Sequence, residues 1–195
     1  MNGLTKGWLR AICVGALVTS LTATMTPSRA DGPEEGKDNE PPSTVPYLLG
    51  LAYAFRGEHE KAVDSFTKAV ELEPDFDEAI FARGDSYVAL GQYERALSDY
   101  AEVIRLMPHY GRAYYHRALV YLKQRQHKAA LADLLVAVER MRVVPEPYLT
   151  LGDLYFARSE PSKALVMYKR YLELAGTKAE AYVLVRVGFL VASKP

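Results

Sequence analysis

The amino-acid sequence predicts an all-α chain, a row of stacked helical hairpins, and three observations carry that prediction. One eight-residue skeleton recurs four times in steps of 34 residues, starting at Ser43, Asp77, Gly111 and Pro145. Within each copy the skeleton places mostly lie three or four residues apart, the spacing of one helix face. Gly57 and Gly91 fall where the first helix of a pair should end, and Pro74 and Pro108 where the second should. Units this short cannot bury an apolar face alone and must lean on their neighbours.

Ahead of the repeats, Lys6 and Arg10 precede an apolar stretch from Ala11 to Leu21, and Ser28-Arg29-Ala30 follows with small residues at the two places a signal peptidase reads. That is the layout of a secretory signal peptide over residues 1–30, cleaved after Ala30. The stretch is short for a membrane span, which needs roughly 20 apolar residues; left uncleaved, it would serve as an N-terminal anchor. Of the 24 basic residues, Lys6, Arg10 and Arg29 lie in this segment and no acid does, so the remainder carries 21 basic against 24 acidic residues, a net charge of −3. Such a balance argues against nucleic-acid binding, which rests on basic patches. Cys13 is the chain's one cysteine, so the exported part would not depend on disulfides. Residues 31–42, DGPEEGKDNEPP, are polar and rich in acid and proline, and are expected to form a flexible linker.

The repeats occupy 43–76, 77–110, 111–144 and 145–178, with skeleton places running over 43–176. Counting from each start, places four, seven, eight, eleven, twenty, twenty-four, twenty-seven and thirty-two read Pro46, Leu49, Gly50, Tyr53, Ala62, Phe66, Ala69 and Pro74 in repeat one. Repeat two reads Ile80, Arg83, Gly84, Tyr87, Ala96, Tyr100, Val103 and Pro108. Repeat three reads Tyr114, Arg117, Ala118, Tyr121, Ala130, Leu134, Ala137 and Arg142, and repeat four Tyr148, Leu151, Gly152, Tyr155, Ala164, Tyr168, Tyr171 and Gly176. Small residues at places eight and twenty let antiparallel helices approach closely. Place seven alternates between Leu (Leu49, Leu151) and Arg (Arg83, Arg117), and place twenty-three changes in step: Ser65 and Met167 opposite the leucines, Asp99 and Asp133 opposite the arginines. An Arg inside a hairpin is costly without a carboxylate, so Arg83–Asp99 and Arg117–Asp133 are read as ion pairs. Arg142 stands where the closing Pro should be, which leaves the third hairpin's second helix free to overrun.

The skeleton resembles the tetratricopeptide repeat (TPR) family, over about 134 of 195 residues. The resemblance implies a right-handed helical-hairpin solenoid of four TPR repeats plus a C-terminal capping helix, acting as a scaffold for protein–protein interaction. In that family places two, five, nine, twelve and thirteen line a concave groove. Carried onto this chain they give a partner groove of Tyr47, Leu51, Phe55, Phe81, Asp85, Tyr115, Leu119, Lys123, Leu149, Asp153 and Phe156. The Lys, Arg and Asn of the family's carboxylate clamp do not stand at places five and nine, so an extended or helical peptide with apolar anchors is expected rather than a C-terminal acid.

A closing helix is expected over residues 178–193. On a helical wheel Tyr182, Val185 and Phe189 form one apolar face and Val183, Leu184, Val187, Leu190 and Val191 the other, interrupted only by Arg186. A helix apolar all round is normally buried all round, so the second face is expected to meet another copy of the chain, as in a homodimer, or a different protein. Continuing the 34-residue count puts Arg186 at the small-residue place, whereas a two-residue slip puts Gly188 there. His59, His109, His116 and His127 lack the spacing of metal ligands, and no nucleophile motif or phosphate-binding loop is present. The expectation is therefore no enzyme, no cofactor, no metal and no small-molecule substrate: an exported scaffold, in a bacterial periplasm, that binds another protein. The rival readings are a self-associating structural protein and a non-catalytic subunit of an envelope enzyme or secretion complex.

Overall fold

The computed structural model describes residues 41–192; the segment read as a signal peptide and nearly all of the expected linker lie outside them. Among the described residues the secondary structure is entirely helical. Four hairpins follow one another: α1 (Thr44–Phe55) with α2 (His59–Leu72), α3 (Asp77–Ala89) with α4 (Tyr93–Leu106), α5 (Gly111–Lys123) with α6 (His127–Arg140), and α7 (Glu146–Ala157) with α8 (Pro161–Ala175). A single 3-10 turn, Gly176–Lys178, leads into α9 (Ala181–Ala192). Each second helix packs on its hairpin partner and on the first helix of the next unit, the stacking expected of a solenoid.

The turn inside each hairpin is the same four times. The place-fifteen N–H donates to the place-twelve carbonyl, and the place-sixteen N–H to the carbonyl of the place-eleven tyrosine, at 2.8–2.9 Å for Tyr53, Tyr87, Tyr121 and Tyr155. These bonds satisfy helix-end carbonyls and require a left-handed residue at place fifteen. Gly57 and Gly91 supply it with φ of 76° and 73°, but Arg125 and Ser159 take the same conformation at 58° and 57°. Repeats three and four thus accept strain that glycine would avoid. The absent closing proline has no effect on length: α6 ends at Arg140, the same place at which α2 and α4 end, so the expected overrun does not occur. The place-twenty-seven Ala137 stays fully buried and holds the last turn down.

The core lies between the two helices of each pair. Ala62, Ala96, Ala130 and Ala164 at place twenty are fully buried, as are Phe66, Tyr100, Leu134 and Tyr168 at place twenty-four. A Cβ added to Gly50, Gly84 or Gly152 would meet the ring of Phe66, Tyr100 or Tyr168 at 2.5, 2.9 or 2.6 Å, so place eight is kept small by the ring at place twenty-four. In repeat three, Leu replaces the ring and Ala118 replaces the glycine, preserving the summed volume. Both inferred ion pairs form as two-pronged bonds. Arg83 Nε and Nη2 donate to Asp99 at 2.8 Å each, and Arg117 donates likewise to Asp133 at 2.7 and 2.8 Å. The place-eleven tyrosines share one seat, and their outer faces are covered by place-nineteen cations where one exists: Lys61 over Tyr53, Arg95 over Tyr87 and Lys163 over Tyr155, at 5.5, 4.1 and 5.3 Å.

Candidate functional site

The first helices α1, α3, α5 and α7 present places five, nine, twelve and thirteen on one stripe. Along it Tyr47, Leu51, Tyr115, Leu119, Leu149 and Phe156 are half-buried, Asp85 and Asp153 are partly exposed, and Lys123 and Phe55 are open to solvent, Phe55 at 90%. Phe81 corrects the groove assignment, since only 8% of it is accessible. Its ring packs on Tyr100, Tyr110 and His116 at centroid distances of 5.6, 5.5 and 4.8 Å. Tyr110, at place thirty-four of the same repeat, closes the edge that would otherwise face outward. Phe76 does the same to Tyr47 at 4.9 Å. Place five is therefore the rim of the hairpin core, and its exposure depends on what the inter-repeat turn lays over it.

The place-nine residues do two jobs. Tyr100 Oη donates to Asp85 at 2.6 Å and Tyr168 Oη to Asp153 at 2.8 Å, so each acid satisfies a hydroxyl that the core would otherwise strand. Where place twenty-four is Phe66 or Leu134, which need no acceptor, place nine is Leu51 or Leu119. This pairing was open to sequence reasoning but missed. Each acid also reaches forward along the stack: Asp85 bonds His116 Nδ1 at 2.8 Å, and Asp153 accepts from Arg186 Nη1 at 2.5 Å and from Tyr182 Oη at 3.0 Å. The Arg186 guanidinium lies 4.7 Å from the Phe156 ring centre and 4.8 Å from that of Tyr182, and so ties α9 to α7.

This linkage decides the register of α9. Arg186 stands to Asp153 as His116 stands to Asp85, which places Arg186 at place six and Gly188 at place eight, the two-residue slip. Val183 and Leu190, assigned by sequence to a face meeting a partner, are instead buried against the last hairpin, at 0% and 6% exposure. They fall at places three and ten, which pack backward in the earlier repeats through Ala79 and Ser86, Ala113 and Val120, and Pro147 and Leu154. Val187 is partly covered, Leu184 and Val191 remain exposed, and Tyr182, Val185 and Phe189, at places two, five and nine, are exposed where α9 continues the first-helix stripe.

Burial, followed by the bond to Asp153, pushes the Tyr182 phenol up to about 12 from an ordinary value of 10. The unfolded phenol ionises first, so the stability this group contributes is complete below pH 10 and is lost as the pH rises towards 12. Alkaline titration followed by tyrosinate absorbance should show this late phenol in wild type. In Tyr182→Phe the component near 12 should disappear while the still later phenols of Tyr100 and Tyr168 remain, and the fall in melting temperature across the window should become shallower.

Models of the tetratricopeptide repeat match residues 47–76 and 111–140, and a related TPR repeat model matches 84–124. The hairpins over 47–76 and 84–140 are tetratricopeptide repeats. TPR proteins are generally non-catalytic scaffolds that bind proteins or peptides. Among solved structures, MamA from Desulfovibrio magneticus RS-1 is similar at 23% identity and a TM-score of 0.68, over 77% of this chain and 84% of that one. YrrB, described as a TPR protein with an unusual peptide-binding site, is similar at 23% identity and a TM-score of 0.66, over 79% and 78%. The first TPR of Spaghetti, bound to the HSP90 peptide SRMEEVD, aligns at 22% identity and a TM-score of 0.58, over 60% of this chain and 93% of that one. Likeness at these identities speaks to the fold. No curated protein matches the chain. Among the described residues no cluster of His, Cys, Asp or Glu could hold a metal, and no helix is long and apolar enough to cross a membrane.

Proposed function

We propose that this TPR chain is an exported scaffold that captures another polypeptide along the stripe shared by its first helices, the concave side of a TPR stack. The observation that carries the reading is the row Leu51, Tyr115, Leu119, Leu149 and Phe156, left part-exposed on hairpins one, three and four and interrupted by Asp85 of hairpin two and by Asp153. Aromatic and aliphatic anchors in such a row supply most of the binding energy of an extended segment. Places five and nine hold Tyr, Phe, Tyr and Leu, then Leu, Asp, Leu and Asp. A row of this kind offers no cation at these places to the carboxylate-rich tail that SRMEEVD represents. The leader-like segment 1–30 supports export, with a bacterial periplasm as the compartment.

Phe81 is interior and unsuited to a binding test. Leu119→Glu combined with Lys123→Glu alters the stripe away from the buried rings. That variant is expected to keep its helical circular dichroism and to lose at least roughly tenfold in affinity for a partner cross-linked to the wild-type chain in cells. Undiminished capture by the folded variant would defeat the assignment.

A further inference from the structure

The final helix is half of a fifth hairpin. In its established register Gly188 occupies place eight, and nothing lies within 4 Å of the Cβ it would carry, whereas at Gly50, Gly84 and Gly152 that position is crowded by a ring of the paired second helix. Leu184 and Val191, at places four and eleven, are 56% and 52% exposed. Their counterparts Ile80 and Tyr87, or Tyr148 and Tyr155, are buried beneath the second helix of their own hairpins. Val187, at place seven, completes an apolar strip with a seat for one ring at its centre.

We infer that this strip of α9 accepts an amphipathic helix from a different polypeptide, which completes the hairpin by setting a Phe over Gly188, since Phe189 at place nine offers a hydroxyl no acceptor. The four intact hairpins specify the chemistry of that helix, because they show the same interface filled. Ala62, Ala96, Ala130 and Ala164 each stand four residues before the place-twenty-four side chain, with an apolar residue three further on. The donated helix therefore carries alanine, an aromatic four residues later, and an aliphatic or aromatic three after that. Place seven refines the match. Where it is Arg, the second helix carries Asp99 or Asp133 just before the place-twenty-four side chain; where it is Leu, the second helix carries Ser65 or Met167. Val187 is apolar, so the donated helix has a neutral residue there, since an acid would be buried without a partner. A second copy fits poorly. Its described helices of this pattern are spent inside their own hairpins, and two α9 strips face to face would set Gly188 against Gly188 and leave the ring seat empty.

The test uses the full chain and two probes, each stapled helical through solvent-facing positions. One peptide copies residues 161–175 with Tyr168→Phe after Met167; the other copies residues 93–106 with Tyr100→Phe after Asp99. Isothermal titration is expected to show saturable binding of the first probe and binding at least roughly tenfold weaker for the second. Gly188→Leu, which fills the ring seat from an exposed helix position, abolishes binding of both. Val187→Arg reverses the preference. Leu119→Glu with Lys123→Glu, on the first-helix stripe, leaves probe binding unchanged, so failure here and failure of the stripe are told apart. The inference is overturned if neither probe binds, if Gly188→Leu binds as wild type does, or if sedimentation shows a dimer that Gly188→Leu dissolves.

Discussion

Asp99→Ala should cost about 3 kcal/mol of folding stability, the lower end of the range for removing one partner of a buried ion pair. The carboxylate is 9% exposed and takes both prongs of Arg83, whose guanidinium, bonded to it and raised above its ordinary value chiefly by that bond, keeps 18% of its side chain accessible. That residual contact with water keeps the penalty from reaching the upper end. The stranded Arg83 is what destabilises the variant, since the pair itself contributes little beyond offsetting its own desolvation. Repeat four provides the control within the same molecule, with Leu151 and Met167 at these two places. Arg83→Leu combined with Asp99→Met is therefore expected to return stability to within about 1 kcal/mol of wild type, or above it. Urea denaturation of the two single variants and the double variant measures the coupling directly.

Leu134→Phe should destabilise by about 1–3 kcal/mol although it adds apolar volume, because Ala118 occupies the space that glycine leaves to the rings of the other repeats. Ala118→Gly alone should also destabilise, by about 1 kcal/mol for glycine in a helix interior. The double variant rebuilds the Gly50, Leu51 and Phe66 set of repeat one, since place nine is already Leu119. Much of the loss should be recovered, giving a coupling of about 1 kcal/mol or more. Phe is used rather than Tyr because Leu119 could not accept a hydroxyl. If the two losses simply added, place eight and place twenty-four would not share one space, and the packing described for all four hairpins would be wrong.

The skeleton made the hairpins legible because each place is defined by contacts inside a short unit. The Arg–Asp pairs were legible for the same reason: places seven and twenty-three change together. The pairing of place nine with place twenty-four follows the same logic, yet Asp85 and Asp153 were read as groove acids because both also lie on the groove stripe. Phe81 was misplaced because its cover, Tyr110, sits in a turn whose course no helical interval specifies. Arg125 and Ser159 hide a left-handed residue that glycine announces in repeats one and two. The faces of α9 could not be sorted from its own residues, since nearly all are apolar. Arg186, the one polar residue, settles them through Asp153 on α7, a contact across the extra residues that the Gly176–Lys178 turn accommodates.

The claim that the first-helix stripe holds another polypeptide is tested most directly by site-specific photo-cross-linking in cells, with a benzoylphenylalanine at Leu119 compared with one at Lys68, an exposed position on α2. The account predicts a discrete protein adduct from position 119 and none from position 68. Adducts from 68 alone, or equally from both, would contradict it.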